Sequence, residues 1–577
     1  MKKTFFLFSL FLFLTSCFSG GISGGGNMTE ERDTEAEKTE MKTEERTFVK
    51  DEQGYYILPS DFLKEGKKEE GKLDSVVSYA DAVEEMAFEE YRVYLNQRKV
   101  TPYRVKVDTS HTFKAIGNAR EDNAVLSLRL AGYVKVTIQL KHPIYRDPVI
   151  RPLSSAIGLE LDKEYRTISF YIHESGQYTV EFNDYMTKTL HLFVDDYREG
   201  EEKIYQNDSS VLYFAKGIHD HGNDSRIPVD NTIRLTDQKK TVYLEEGAVV
   251  RASFFAYSLE NVKILGHGII DGSVFTRNAT TNERQIPIDF QYCRNVTIQD
   301  VIFLDPAGWC LNLYFLDKAL VDNVKIITSR ANGDGISVQS SKNVEVKNSF
   351  VRTFDDTLVV KNYPKYGNYS QEGATENIYF HDCILITDLA QSMEVGYETI
   401  GEVMKDIRFE DITILHAYHH AVFSIHNANN ANINAVSYKN ITVEDADMGQ
   451  GDGNGKLLEF NVKHSSIWSD NWKTTKLGSV SFVIMENIKV TGKEGIMLIE
   501  GSLDERDHTA HRVSGVKITD FSLNGTKVNA ASFSVGSYVD DFSVNATENE
   551  ATGASSVSKT TLEEVAGRYS SFVEYVS

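Results

Sequence analysis

The sequence predicts an all-β protein, a right-handed parallel β-helix preceded by an N-terminal β-sandwich. Three observations predict it. First, one phrase recurs. "NVKILGHGIIDG" at 261, "NVTIQDVIFLD" at 295, "NVKIITSRANGDGISV" at 323, "NVEVKNSFVRTFDDTLVV" at 343, "NIYFHDCILITDLAQSMEV" at 377 and "DIRFEDITILHAYHHAVFSI" at 406 all open on Asn or Asp and then alternate apolar and polar residues. Second, the starts lie 34, 28, 20, 34 and 29 residues apart. Units that short cannot bury their own apolar face, so they must stack. Third, the chain ahead of the repeats carries short alternating runs, "YRVKV" (103–107), "VKVTIQL" (134–140), "TISFYI" (167–172) and "YTVEF" (178–182), with polar turns between them. That spacing suits a sandwich.

The elements follow in order. Residues 1–17 read as a signal peptide: Lys2 and Lys3, an apolar run, then "LTSC" ending at Cys17. "LTSC" has the form of a bacterial lipobox, which makes Cys17 the lipidation site and the protein an exported cell-envelope lipoprotein, at the outer membrane surface or in the periplasm. Residues 18–75, rich in Gly and mixed charge, read as a flexible stalk. The sandwich takes 76–200 and the β-helix 201–545, with "SFVIMENIKV" (481–490) and "VKITDFSLNG" (516–525) as later, looser rungs. Residues 546–577 read as a cap or tail. The leading Asn261, Asn295, Asn323, Asn343 and Asn377 are expected to form one ladder at a corner of the helix.

Composition narrows the function. A net charge of −23 argues against binding nucleic acid or anionic lipid through bulk charge. Any membrane contact is then through the lipid anchor alone. Beyond Cys17 only Cys293, Cys310 and Cys383 remain, too few for a disulfide framework. No CxxC or HExxH pattern signals a metal, and no cofactor is implied. Oligomeric state is not written in the sequence.

Aligning successive rungs on their inward pairs brings the chemistry together. Ile336 and Val338, Leu358 and Val360, Met393 and Val395, and Phe423 and Ile425 fall into register. Two residues ahead of the first two pairs stand Asp334 and Asp356, on strands roughly 4.7–4.9 Å apart. Asp355 precedes Asp356. Three carboxylates so close repel one another, and at least one pKa should rise. The pair Asp195–Asp196 looks the same but reads as a solvated linker end, and Asp540–Asp541 has no third carboxylate beside it. A carboxyl kept protonated beside one kept ionised suits glycoside hydrolysis. A calcium site and mere solvation are the competing readings.

At these residues, Asn332-Gly333-Asp334-Gly335 and Phe354-Asp355-Asp356, the chain resembles the polygalacturonase-like glycoside hydrolases of family 28. "GHGIIDG" (266–272) is similar to that family's early glycine rung. A sandwich ahead of the helix is more like family 49, the dextranase and isopullulanase relatives. Both families invert at the anomeric carbon. The resemblance implies Asp355 as general acid, with Asp334 and Asp356 holding the attacking water. It implies a polysaccharide or oligosaccharide substrate. The rung register and the chemistry of the residues themselves offer Lys361, Gln391, Glu394, Glu398, His426 and Trp309 as substrate contacts. Tyr397 is a further cleft candidate. The family's His is replaced by Gln391 and its Arg-Ile-Lys by Ser424-Ile425-His426. With Glu394 expected to be exposed beside the site, this shifts the expectation toward a modified or neutral α-linked sugar, with pectic material still open. A non-catalytic glycan-binding β-helix is the alternative, and a uronate lyase or epimerase a weaker one.

Overall fold

The computed structural model describes residues 48–545 except 60–61, 64–74, 111–118, 184–185, 279, 365–372, 448–454, 466–475, 505 and 507. The signal segment with Cys17, most of the stalk and the 546–577 tail lie outside the described residues.

Two sheets make the sandwich. One pairs Val76–Tyr79, Arg120–Ala131, Leu190–Asp196, Gly176–Glu181 and Val149–Arg151 in that order, with Tyr103–Asp108 also on Arg120–Ala131. The other runs Arg98–Val100, Tyr91–Leu95, Val134–Leu140, Thr167–Ile172 and Leu159–Asp162. Alternating residues such as Val93, Leu126, Val136, Ile168 and Leu192 meet between the sheets and are fully buried. The last part of the expected stalk differs from a free tether. Asp51 receives the Arg92 guanidinium, Tyr56 O accepts from Gln139 Nε2 at 2.6 Å, and Tyr55 OH donates to Glu89 O. Its aromatic residues give residues 48–59 something to bury, which the Gly-rich stretch before them lacks.

The β-helix begins at Val211–Phe214. Rungs up to Phe423–Asn427 have three strands, two in a 22-stranded, almost wholly parallel array and the third in an 11-stranded one. From Asn432–Ala446 on, the first two merge into one long strand. One rung, for example, is Asp317–Asp322, Lys325–Ile327 and Ile336–Gln339. Inward Val, Ile, Leu and Phe stack into a single core column from Phe214 to Phe533. Full burial of each such side chain stabilises by roughly 1.5–3 kcal/mol, and the parallel crossovers take the right-handed form. The expected register holds: Ile336 pairs Leu358, Val360 pairs Val395, and Val395 pairs Ile425.

The single expected ladder is split over two corners. Asn261, Asn295, Asn343 and Asn377 stand at one, with Asn377 Nδ2 donating to Asn343 Oδ1 at 2.9 Å. Asn323 belongs to the next, where Asp300, Asn348, Asp382, Asp411, Asn440 and Asn487 align with it and it donates to Asp300 Oδ1 at 2.7 Å. All of these have positive φ, from 51° to 66°. Asn and Asp tolerate that conformation best among residues with a Cβ, so they fill most of the sharp bends, though Lys318 and Ala435 take the same conformation at the first corner.

The sandwich covers the outer face of the second strand of the rungs from Ala248–Val250 to Thr413–Ala417. Met86, Tyr103, Val105, Val125 and Phe193 pack on Val249, Ile269, Ile302, Leu304, Ile327, Phe350 and Ile386. Asp195 sits in this seam and is 4% exposed, not at a solvated linker end. Lys325 Nζ binds its two oxygens at 2.7 and 2.9 Å, and His267 Nδ1 lies 2.9 Å away.

Candidate active site

Four segments build the site, on the outward face of the 11-stranded array. The first is the turn 329–334. It is drawn tight enough that a Cβ on Gly333 would sit 2.6 Å from Arg330 O, and one on Gly335 2.5 Å from Val351 Cγ1. Only glycine fits at either position. Thr328 Oγ1 donates to Gly333 O and accepts from Phe354 N at 3.1 Å, tying this turn to the next rung. Asn332 N donates to Asp355 Oδ2 at 3.1 Å, and Asp356 N to Asp355 Oδ1 at 3.1 Å. Gly335 N donates to Asp356 O at 2.8 Å, which sets Asp334 and Asp356 side by side on neighbouring strands. The sequence register thus brings the three expected carboxylates together. Asp334 and Asp356 are buried and Asp355 is partly open to solvent.

Lys361 is the near cation. Its Nζ lies 3.3 Å from Asp334 Oδ2 and 3.4 Å from Glu398 Oε2, and it sits over the Trp309 ring. Glu398 also accepts from Tyr363 OH at 3.4 Å. It reaches Lys361 because the strand Met393–Thr399 bulges: Val360 pairs Val395 but Asn362 pairs Thr399, which leaves two extra residues on one side. Bulges re-aim side chains in this way.

Burial and crowding shape the charges. Burial, then Asp334, raises the Asp355 carboxyl to about 7. Burial, then Asp334 and Asp355, raises Asp356 well above the carboxylate range. Burial raises Asp334 too, against the pull of Lys361. Burial works against the charge of Lys361, but Glu398, Asp334 and Asp356 outweigh it and hold the ammonium firmly protonated. The cluster therefore holds a proton between Asp355 and Asp356 near neutral pH.

The other expected contacts divide. Gln391 meets the cluster through its backbone, N donating to Asp356 Oδ1 at 3.3 Å. Trp309 is buried, with Arg284 5.2 Å and Lys361 5.1 Å from its ring centre. Glu394, expected to be exposed, is not: it is 0% exposed and takes His426 Nδ1 at 2.8 and 2.9 Å. A buried carboxylate needs such a partner. Burial opposes the charge on His426, but Glu394 and Glu459 raise it to about 9. His426 is therefore a counter-ion inside the wall and not an open contact at the mouth. Tyr397 stacks on it, centroids 4.1 Å apart and planes 4° from parallel.

Rung periodicity does not reveal the cations of the loop between Ile269–Asp271 and Ile288–Gln291. Arg277 donates through Nε to Ala331 O at 2.8 Å and through Nη2 to Asn332 Oδ1. Its surroundings include Arg284, Asp355 and Asp334. Arg284 makes no ion pair among the described residues. Nothing periodic marks either residue; the only signal is that this loop leads into a rung of the array that carries the carboxylates.

Among the described residues, the group of His, Cys, Asp or Glu side chains close enough to share an ion is Glu201, His267 and Asp300 in the seam, not the aspartate triplet. There, both His267 nitrogens face carboxylates, Asn323 bonds Asp300, and Lys325 binds Asp195 beside them. The arrangement reads as an ion-pair network with its cations already in place.

Against known proteins, the family description "Glycosyl hydrolases family 28" matches residues 223–450. Polygalacturonases of Gossypium barbadense and Gossypium hirsutum are each 24% identical over 188 residues, 27% of this chain and 46% of theirs. The chain thus spans about half the length of the curated relatives it matches. Of solved structures, Dex49A from Penicillium minioluteum aligns with a TM-score of 0.48 at 14% identity, over 81% of this chain and 96% of that one. The family 28 exopolygalacturonase of Yersinia enterocolitica aligns at 0.39 and 11% identity, over 71% and 96%. Residues 223–450, which hold all three aspartates, are thus similar to the glycosyl hydrolases of family 28.

Proposed function

We propose that the protein is an inverting glycoside hydrolase acting on a polysaccharide or oligosaccharide that carries carboxylated sugars. The observation that carries this reading is the close-set aspartate triplet, its carboxyls raised by burial and mutual repulsion, with the Lys361 ammonium against Asp334. Asp355, the most exposed of the three, delivers the proton to the departing glycosidic oxygen. Asp334, the carboxylate paired with Lys361, accepts a hydrogen bond from a water on the opposite face of the sugar and takes up its proton as it attacks, and Asp356 helps to hold that water. Such proton transfer contributes about 10²–10⁴-fold to the rate. Lys361 compensates the charge that remains on Asp334.

The carboxylate preference rests on three cations. Arg277, Arg284 and Lys361 border the triplet, and an arginine fork suits a planar carboxylate. The objection from Glu394 falls away, since its charge is neutralised by His426 within the wall. The name polygalacturonase on the curated relatives agrees with a uronate. Export on a lipid anchor at Cys17, expected from the sequence, would put the enzyme where such polymers are met.

The test is release of reducing ends from polygalacturonate, rhamnogalacturonan, dextran, pullulan and hemicelluloses, with Asp355→Asn run alongside. Activity on a uronate polymer, lost in the variant, supports the reading. Activity on neutral glycans alone would remove the carboxylate assignment. Retained activity in Asp355→Asn would remove the proposed acid. The anomer first formed, read by NMR, tests inversion.

A further inference from the structure

We infer that the N-terminal sandwich takes part in the reaction at a distance, through Arg120 as a positioning residue for the turn that carries the aspartates. The inference rests on the hydrolase reading above. Its basis is an unbroken run of contacts. Arg120 opens the sandwich strand Arg120–Ala131 and reaches across to the helix, where Nε donates to Ser329 Oγ at 2.9 Å and Nη2 pairs with Asp305. Asp305 is 3% exposed and also accepts from Ser329 Oγ at 2.8 Å. Arg330 grips the same carboxylate twice, at 3.1 and 3.0 Å.

From Arg330 the run forks. One branch goes along the backbone into 331–334. The other goes through its guanidinium, which donates to Ser273 O at 2.9 Å and to Phe275 O. That fixes the start of the loop whose Arg277 clamps Ala331 O and Asn332 Oδ1. The two branches rejoin at Asn332, whose N–H holds Asp355.

The chemistry of the hub explains why a residue from another domain is needed. Asp305 is nearly sealed from water, and Arg330 alone must also serve two carbonyls. A second guanidinium satisfies the remaining lone pairs of the carboxylate and fixes its rotamer. Buried charge networks hold one geometry only when every member is satisfied. Ser329 and Arg330 then have a single arrangement, and the turn that follows inherits it. Elsewhere in the seam there is apolar contact, as where Phe193 packs on Phe350. Arg120 is the point where the sandwich meets the site's own scaffold.

The groups facing Asp355 are Asp334, Asp356, Lys361 and Arg277. A loosened turn admits water among them. The burial that holds the Asp355 proton weakens, and the alkaline limb of activity moves to lower pH.

The experiment uses the full chain with Arg120→Gln and, from the helix side, Ser329→Ala. Hydrogen exchange is followed at 328–335 and 273–278, and kcat, KM and the pH profile are measured on the polymer that the wild type cleaves. Expected are faster exchange in both segments and an alkaline limb lower by about half a unit. Expected too is kcat down about tenfold with KM changed less than about threefold, since small misplacements cost rate before binding. Arg120→Lys should recover part of each effect. Unchanged exchange at 328–335 in both variants would overturn the inference, as would a fall in Tm with an unmoved pH limb, the mark of a merely structural contact. A wild type inactive on every polymer would overturn the hydrolase reading and this inference with it. Normal wild-type activity with indifferent variants would overturn this inference alone.

Discussion

Two buried aspartate sites, Asp195 in the seam and Asp355–Asp356 in the cleft, come from near-identical sequence and end in opposite states. "VDD" at 194–196 and "FDD" at 354–356 each set two aspartates after an apolar residue. Burial pushes Asp195, Asp355 and Asp356 up. At Asp195, Lys325 and His267 overcome burial and hold the group well below the usual carboxylate range. At Asp355 and Asp356 the nearest neighbours are other aspartates, and the one near ammonium is shared with Asp334 and Glu398. Partner charge, not burial, separates a structural carboxylate from a reactive one.

The largest test of that contrast removes one aspartate from each site. Asp355→Asn keeps the shape and removes the proton donor. It should cost about 10³-fold or more in kcat, read as reducing-end release, with little loss of stability. Asp195→Ala should do the reverse. It strands Lys325 in a dry seam, which costs about 3–5 kcal/mol, seen as an earlier urea midpoint with kcat per folded molecule near normal. Equal effects of the two substitutions on activity would break the comparison.

Next comes the cation. Lys361 pulls the aspartate carboxyls down, so Lys361→Met should raise the alkaline limb of the activity profile while lowering kcat by about 10–100-fold, within the usual range for charge-assisted contacts. A limb that moves to lower pH would mean that Lys361 does not set the charge of the cluster.

The contrast also shows what a sequence can carry. Asp334 beside Asp356 was legible because strand residues alternate and rungs stack in a fixed order, so two inward pairs fix the register. The fate of Asp195 was not, because its partner Lys325 is 130 positions away and belongs to another domain. Nor was the split of the Asn ladder, because Asn323 opens its phrase like the others yet sits at the second corner. Glu394 was placed on the correct face, but its burial depends on His426 one rung on and on Tyr397 folding over that ring. The bulge that moves Tyr397 and Glu398 has no periodic signature. Arg277 and Arg284 ride on a loop whose path is set by Arg330 and Asp305, contacts that no local pattern announces.

The smallest expected effects are on stability against pH: both sites lose stability as pH rises, but substitution removes a stabilising charge at one and a penalty at the other. His267 is raised to about 9 by Asp195 and Glu201 despite burial. Its pairing therefore stabilises the fold fully below about pH 6.5 and is lost as pH rises through 9, a change on the order of 3 kcal/mol. Asp356 carries the penalty. Its folded pKa lies above the unfolded value, so the wild-type fold is disfavoured progressively as pH climbs past about 4. Asp356→Asn removes that penalty and should raise Tm at pH 7 by a few degrees, a gain that shrinks toward pH 4. His267→Gln should lower Tm at pH 6 and matter least near pH 10. Melting curves of the two variants across this range would cross the wild-type trend from opposite sides. Parallel curves would mean that both sites are held by packing alone, and the charge argument for the aspartate triplet would fail with them.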